Sequence, residues 1–336
     1  MAQRWLIDPK KKQYKANLHS HSTMSDGKLT PEELKKAYKD KGYDILAITD
    51  HEYPKSHADM SEKDFLMLTG YEAYIRPSRI CAFNRFKPEI HINLIARDKD
   101  NEGIVAYDPF YCKYMPIHKA VAARHYGNIG SRKFTVLYLQ KFIDLANSSG
   151  YLVSLNHPCW SMQDYKDIKK LNGFWSMEIF NTSSMKTSGY AENMPLYDSL
   201  LRDGKRMFVH GSDDNHNKRP MSDPMSDSFG AWTMISADKL EYKAVTDALA
   251  AGDMYASTGP VIESICIDGN EVKVKTSEAK FIRMHMTPKY AKTVYDKKGG
   301  NVTEATFKLP DDASYIYFSV TDGDGGKAYT HAFDIK

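Results

Sequence analysis

The sequence predicts a parallel α/β architecture followed by a small C-terminal β-sandwich. Three observations predict it. Short apolar strands alternate with helical patterns as far as about residue 255. Those strands end, one after another, in His, Asp or Glu. After Ser257 the helical patterns cease and alternating strands take over.

Taken in order, a strand over Tyr14–His21 precedes Thr30-Pro31-Glu32-Glu33, a capping box with proline at the first helical position, which starts a helix. Further strands are expected at Asp44–Thr49, Phe65–Tyr71, Glu89–Ala96, Tyr151–Asn156, Trp175–Phe180 and Arg206–His210. Helices are expected at Phe134–Asn147 (closed by Gly150), Met162–Leu171 and Pro195–Asp203. Lys239–Ala251 adds another, with Leu240, Ala244, Val245, Ala248 and Leu249 on one face. Ile262–Ile267, Asp268-Gly269-Asn270 and Val272–Val274 read as a hairpin with a tight turn. Phe281–Met286, Thr303–Leu309, Tyr315–Thr321 and Ala328–Ile335 complete the sandwich, which divides the chain into 1–257 and 258–336.

One segment stands outside this scheme. Arg97–Lys133 is long, aromatic-rich and weakly periodic, as lids and binding loops are. From Pro109 to Ile143 the chain carries Lys113, Lys119, Arg124, Arg132, Lys133 and Lys141 and no acidic residue.

At 336 residues, two domains or one large barrel are expected. The 42% hydrophobic and 26% charged residues suit a globular chain with a sizeable core. A net charge of +3 is too small to point to nucleic acid or an anionic membrane as a partner. The first residues lack the apolar centre of a leader peptide, and no apolar run is long enough to span a bilayer. A cytoplasmic location is therefore expected, although a leader cleaved beforehand would leave the same start. Cys81, Cys112, Cys159 and Cys266 are scattered, form no CxxC pair and read as reduced structural thiols.

The chemistry concentrates at strand ends. His19-Ser20-His21 closes the first strand, and side chains two apart on a strand share a face. The second strand ends in Thr49-Asp50-His51-Glu52 and the third in Gly70-Tyr71-Glu72; the fourth contains His91 and the fifth ends in Asn156-His157-Pro158. Gly211-Ser212-Asp213-Asp214-Asn215-His216 follows the last. Any one of these reads equally well as a capped strand end or a core histidine. Their recurrence does not, because groups at the C-terminal strand ends of a barrel converge on one mouth. Converging imidazoles and carboxylates are costly without cations to pair them. Nitrogen and oxygen donors without thiolates suit Zn²⁺, Mn²⁺ or Fe.

Leu18-His19-Ser20-His21 with Asp26-Gly27, Ile48-Thr49-Asp50-His51, Asn156-His157-Pro158 and Asp214-Asn215-His216 resemble the ordered motifs of the PHP (polymerase and histidinol phosphatase) family. The resemblance runs over residues 14–258, and Tyr255-Ala256-Ser257-Thr258-Gly259-Pro260 is similar to the end of the branch that carries a C-terminal β-domain. It implies a distorted seven-stranded (β/α) barrel and two to three divalent ions. By matched position, His19, His21, Glu72 and Asp214 would hold one ion. Glu72, His91 and His157 would hold a second, and Asp26, His51 and His216 a third. Asp213 would replace Asp214 if the strand register differed by one.

The implied reaction is phosphate-ester hydrolysis, in which a metal-bridging hydroxide beside Glu72 attacks phosphorus in line. The expected substrate is a small phosphorylated metabolite, such as a nucleotide, a sugar phosphate or a compound like histidinol phosphate. Arg124 and His125 in the acid-free insertion, and Lys218 and Arg219 after the last motif, are candidate phosphate contacts. Asp50, Glu178 and Asn181 are candidates to orient the ligands, although strand parity points Asp50 away from His51. Cys159 and Trp160 are candidate pocket walls, and Cys159 has no neighbour in sequence that would activate it. Two other readings are carried: hydrolysis of a non-phosphate ester or carbamate at the same site, and polymer binding through the C-terminal β-domain. Nothing in the sequence specifies an oligomeric state.

Overall fold

The apolar runs become strands, and the order of those strands in the sheet decides where their polar ends meet. In the computed structural model, which describes residues 3–78, 80, 86–190, 192–287 and 289–335, the chain opens with β1 (Arg4–Ile7) and β2 (Lys12–Asn17). There follow α1 (Pro31–Asp40), β3 (Ile45–Ile48), β4 (Leu66–Ile75) and β5 (Ile90–Ala96). The insertion holds β6 (Ile104–Val105), α2 (Ile117–Ala122) and β7 (His125–Tyr126). Next come α3 (Val136–Ser148), β8 (Tyr151–Leu155), α4 (Tyr165–Ile168), β9 (Ser176–Asn181), α5 (Thr182–Ser188), α6 (Met194–Arg202) and β10 (Phe208–Ser212). Then β11 (Trp232–Ala237), α7 (Tyr242–Ala251) and β12 (Met254–Ser257) lead into the C-terminal strands. These are β13 (Ile262–Asp268), β14 (Glu271–Ala279), β15 (Phe281–Thr287), β16 (Tyr290–Val294), β17 (Val302–Lys308), β18 (Tyr315–Thr321), β19 (Lys327–Thr330) and β20 (Phe333–Asp334). Cys81 lies outside the described residues; Cys112, Cys159 and Cys266 are free thiols.

Strands β2-β3-β4-β5-β8-β9-β10 lie side by side in that order. The sheet is not all-parallel, and this corrects the sequence expectation. Strand β5 runs antiparallel to both β4 and β8, while its outer neighbours pair in parallel. A parallel pair needs a crossover, and the described residues between Ile75 and Ile90 form no helix to supply one. The reversal places the first residues of β5 beside the C-terminal ends of β4 and β8, which is how His91 reaches the same mouth as the other strand ends.

Among the described residues, no pair of strands closes a barrel. The free side of β2 is taken by β11, running antiparallel. An isolated parallel bridge, Ser20–Asn215, joins the segments that follow β2 and β10. From β11 the sheet continues through β12, β19, β18, β15 and β16. A second sheet, β1-β13-β14-β17, shares an apolar cluster with it, including Ile7, Tyr255, Ile265, Val274, Met284, Phe307 and Phe318. The C-terminal region is therefore β-rich, and it recruits the N-terminal strand β1.

Helix α1 begins as its capping box requires: Thr30 Oγ1 accepts from Glu33 N–H at 3.2 Å and Glu33 Oε2 accepts from Thr30 N–H at 2.8 Å. Its apolar face buries Leu34 and Tyr38, and the Tyr38 hydroxyl donates to Asp213 Oδ2 (2.7 Å) and Asn215 Oδ1 (2.8 Å). A local sequence signal thus anchors the segment after β10. The expected helix over Met162–Leu171 shrinks to α4, and α2 and α5 are helices that the sequence pattern does not announce. No described helix is long and apolar enough to cross a membrane.

Candidate metal centre

The loop after β2 folds back on itself. Gly27 N–H donates to Ser22 O at 3.0 Å, and a Cβ at Gly27 would lie 2.1 Å from the His21 carbonyl oxygen, so only glycine fits. The turn carries Asp26 toward His51 and His216. Asp50 secures the same loop, accepting from Ser22 N–H (2.7 Å), Ser22 Oγ (2.6 Å) and Ser25 Oγ (2.5 Å). It therefore does not orient His51; through Ser25, 3.5 Å from His21 Nδ1, it bears on His21 instead.

Strand β2 stops at Asn17, earlier than expected, yet His19 and His21 still share a face because the bridge at Ser20 keeps the backbone extended. Their Nε2 atoms lie 3.3 Å apart. Asp214 Oδ1 is 3.2 Å from His19 Nε2 and 3.0 Å from His21 Nε2. Glu72, 1% exposed in mid-strand, faces five imidazoles with its two oxygens, His21 Nε2 lying 3.5 Å from Oε2. Its Oε1 is 3.3 Å from His19 Nε2, 3.1 Å from His91 Nδ1 and 3.4 Å from His157 Nε2, and its Oε2 is 2.9 Å from His51 Nδ1. Asp26 Oδ1 lies 3.4 Å from His216 Nε2 and 3.8 Å from His51 Nε2.

All nine residues expected to bind metal are thus brought into one cluster, in overlapping groups. These are His21, Asp26, His51 and His216; His19, His21 and Glu72; His19, His157 and Asp214; and Glu72, His91 and His157. The structure places His21 with the Asp26 group as well as beside His19. His157 (φ 25°) and Asp214 (φ 54°) adopt left-handed backbone that non-glycine residues rarely take. Asp213 faces the other way, accepting from Tyr38, Thr182 Oγ1 and the N–H groups of Phe229, Gly230 and Ala231. That resolves the register in favour of Asp214.

A second layer holds the first. Buried Glu178 places Oε1 3.1 Å from His19 Nδ1, and its Oε2 accepts from His157 N–H (2.8 Å) and Asn181 Nδ2 (2.8 Å). Asn181 also reaches Asp214 Oδ2 at 3.3 Å and caps α5. Three further residues of this layer go beyond the sequence reading. Asn156 Nδ2 donates to Glu72 Oε1 at 2.8 Å, Ser161 Oγ lies 3.1 Å from His157 Nδ1, and Glu89 Oε1 lies 3.4 Å from His91 Nε2. Asn156 stands inside the Asn156-His157-Pro158 motif, a signal that could have found it; Ser161 and Glu89 carry no distinguishing pattern.

The charges within this cluster pull in opposite directions. Burial and the neighbouring His216 and His51 push the His21 imidazole down to about 4. Burial also opposes charge on His91, but Glu72 and Glu89 outweigh it and push His91 up to about 10. Burial would raise Glu72, yet the surrounding His91, His19 and His51 hold its carboxyl well below the usual carboxylate range.

Above the cluster opens a cavity of about 500 Å³ whose wall includes Arg76, Trp160, Ser183, Thr187, Lys218 and Arg219. The indole of Trp160 stands edge-on to His157 and His91, with ring centroids 5.0 and 5.6 Å apart. Arg124 and His125 do not reach this cavity. Arg124 packs over Tyr126, and His125 stacks on Tyr107 with Nε2 2.7 Å from Ala120 O, because β6–β7 pairing turns the insertion's basic residues away. Cys159 is not among the lining residues, and burial raises its thiol.

With this geometry in view, comparison with known proteins is specific over the first third of the chain. Residues 17–128, which hold the His19, His21, Asp26, His51, Glu72 and His91 positions, match the sequence model of the PHP domain. No curated protein matches. Among solved structures, the chain is similar to a two-domain protein containing a predicted PHP-like metal-dependent phosphoesterase from Bacteroides vulgatus ATCC 8482, at 15% identity and TM-score 0.44, over 99% of this chain and 100% of that one. A candidate metal-dependent phosphoesterase from Bifidobacterium adolescentis ATCC 15703 matches at 15% identity and TM-score 0.37, over 61% of this chain and 89% of that one. An amidohydrolase from Chromobacterium violaceum, with bound sulfate and no metal, matches at 16% identity and TM-score 0.40, over 60% and 87%.

The clustered side chains fit divalent cations. His51 Nδ1, Glu72 Oε2, His91 Nε2 and Asp26 Oδ1 are buried without a hydrogen bond, although buried polar atoms are nearly always paired. Donors that converge this closely yet make no hydrogen bond with one another are what a cation would satisfy.

Proposed function

We propose that this protein is a metal-dependent phosphoesterase that hydrolyses a small phosphorylated metabolite, such as a nucleotide or sugar phosphate. One observation carries the reading: Asp26, His51, Glu72, His91, His157, Asp214 and His216 line the floor of one cavity, and His19 and His21 join the same cluster, buried behind them. Two to three divalent cations, Zn²⁺, Mn²⁺ or Fe, would be held there, and when bound they would supply Lewis acidity and an acidified water.

The chain's own groups do the rest. Glu72, belonging to two of the ligand groups, would fix the spacing between ions. Glu178 would hold the His19 ring so that Nε2 points inward. Lys218 and Arg219, on the cavity wall, would bind non-bridging phosphate oxygens, and the hydroxyls of Ser183 and Thr187 would accept further polar contacts. Trp160 would pack against the leaving group and keep bulk water from that side. Residues 1–257 would form the catalytic part and 258–336 an accessory part, with β1 crossing that division to pair with β13.

The test is turnover of phosphomonoester, phosphodiester, carboxyl-ester and carbamate substrates, each with Zn²⁺, Mn²⁺ and Fe²⁺. Hydrolysis of phosphate esters is expected. Turnover confined to the carboxyl ester or carbamate would overturn the substrate class and leave the non-phosphate reading in its place.

A further inference from the structure

A fully buried ion pair lies beside the cluster, and its side-chain hydrogen bonds reach none of the nine. Arg132 and Glu52 have side chains at 0% exposure and meet through two contacts, Nη1 to Oε1 and Nη2 to Oε2 (2.8 Å). Arg132 also donates to three backbone carbonyls: Nε to Ala106 (3.1 Å), Nη2 to Val105 (3.2 Å) and Nη1 to Tyr74 (3.1 Å). Its guanidinium lies over the rings of Tyr111 and Phe142, each 5.2 Å from ring centroid to Cζ.

The pair stands where a strand is missing. Strand β3 ends at Ile48, opposite Thr69, but β4 runs on to Ile75, and on that edge Glu72 is held only by an isolated bridge to His51. Three interactions then cover that edge in sequence. Glu72 N–H donates to Thr49 O (3.1 Å), Glu52 N–H donates to Glu72 O (2.8 Å), and Glu52 Oε1 accepts from Tyr74 N–H (2.9 Å). Arg132 Nη1 closes the series on Tyr74 O. Glu52 reaches this position only in left-handed backbone, φ 53°, a conformation disfavoured for glutamate. His51 immediately precedes it and faces Glu72 Oε2 at 2.9 Å.

We propose that Arg132, from the basic insertion, is a positioning residue for the metal centre: by clamping Glu52 it fixes the backbone that presents His51 and Glu72 to each other. The inference rests on the metal-centre reading above. It gives the insertion a defined task, since Ala106, Val105 and Asp108, which accepts from Arg132 N–H at 3.0 Å, all belong to it. A buried, bidentate and stacked site is one where lysine cannot stand in for arginine, because a point charge does not reproduce the fork.

The experiment is a chelator-competition titration of Mn²⁺ into wild type, Arg132→Lys and His51→Ala, with thermal melts of each. Arg132→Lys is expected to stay folded and to weaken one Mn²⁺ equivalent by about 10–100-fold, the same equivalent that His51→Ala weakens. Should Arg132→Lys not fold, Glu52→Gln, which keeps an acceptor for Tyr74 N–H, is read in the same way. A lowered melting temperature with unchanged Mn²⁺ affinities would make the pair merely structural and overturn the inference. A wild type that takes up no Mn²⁺, Zn²⁺ or Fe²⁺ would remove the metal-centre reading and this inference with it.

Discussion

Glu178 Oε1 lies 3.1 Å from Nδ1 of His19, both side chains wholly buried, and this contact turns the other ring nitrogen of His19 toward Glu72 and Asp214. Glu178 also accepts from His157 N–H, Asn181 and Ser212, so one carboxylate ties β9 to three segments of the mouth. Glu178→Gln is expected to lower metal affinity or activity by about 10–100-fold with the fold retained. Glu178→Ala, which strands several buried donors, is expected to cost ~3 kcal/mol of stability as well. Metal content and denaturant melts of the two variants separate these effects.

The adjacent aspartates are expected to fail in different ways. Asp213 accepts from five groups on α1, α5 and the segment before β11, whereas Asp214 faces His19 and His21. Asp213→Ala should lower the melting temperature markedly, at a cost of ~3 kcal/mol. Asp214→Ala should abolish turnover while leaving the secondary structure intact. Circular dichroism melts and activity, measured side by side, check the contrast.

Much of this was legible in the chain before folding. Strands and their ends carrying His, Asp or Glu offer eight of the nine clustered residues, the family resemblance adds Asp26, and the capping box at Thr30 places α1 to within a residue. Three features were not legible, for physical reasons. The direction of β5 depends on the path of the link before it, which periodicity does not encode. The orientation of Arg124 and His125 depends on the two-residue pairing of β6 with β7, too short to leave a pattern. The Glu52–Arg132 pair joins residues 80 positions apart, a separation no local motif reports.

The two sets of basic residues give a third prediction. Lys218→Ala and Arg219→Ala should each raise KM for a phosphate ester about 10-fold, the size of a charged hydrogen bond. Arg124→Ala and His125→Ala, outside the cavity, should leave KM and kcat unchanged. Steady-state kinetics on the four variants decides it.

A fourth concerns pH. Burial pushes the His331 imidazole down to about 4, and the ring sits between Phe208 and Phe333 with Nδ1 unpaired. The folded state holds this ring neutral, while the unfolded chain takes up the proton near pH 6.5. Below that value the unfolded state therefore binds more protons, and stability falls as pH drops from about 6.5 to about 4, by ~3 kcal/mol from this residue. His331→Gln should flatten that part of the stability profile, as read by denaturant melts across the window.

The central claim is that nine side chains, distant in sequence, form a centre for several cations. Elemental analysis of the purified protein tests it most directly. Two to three equivalents of Zn, Mn or Fe per chain, falling in a Glu72→Ala variant that still folds, is the result expected. A folded wild-type protein with no bound transition metal, even after incubation with each ion, would contradict it.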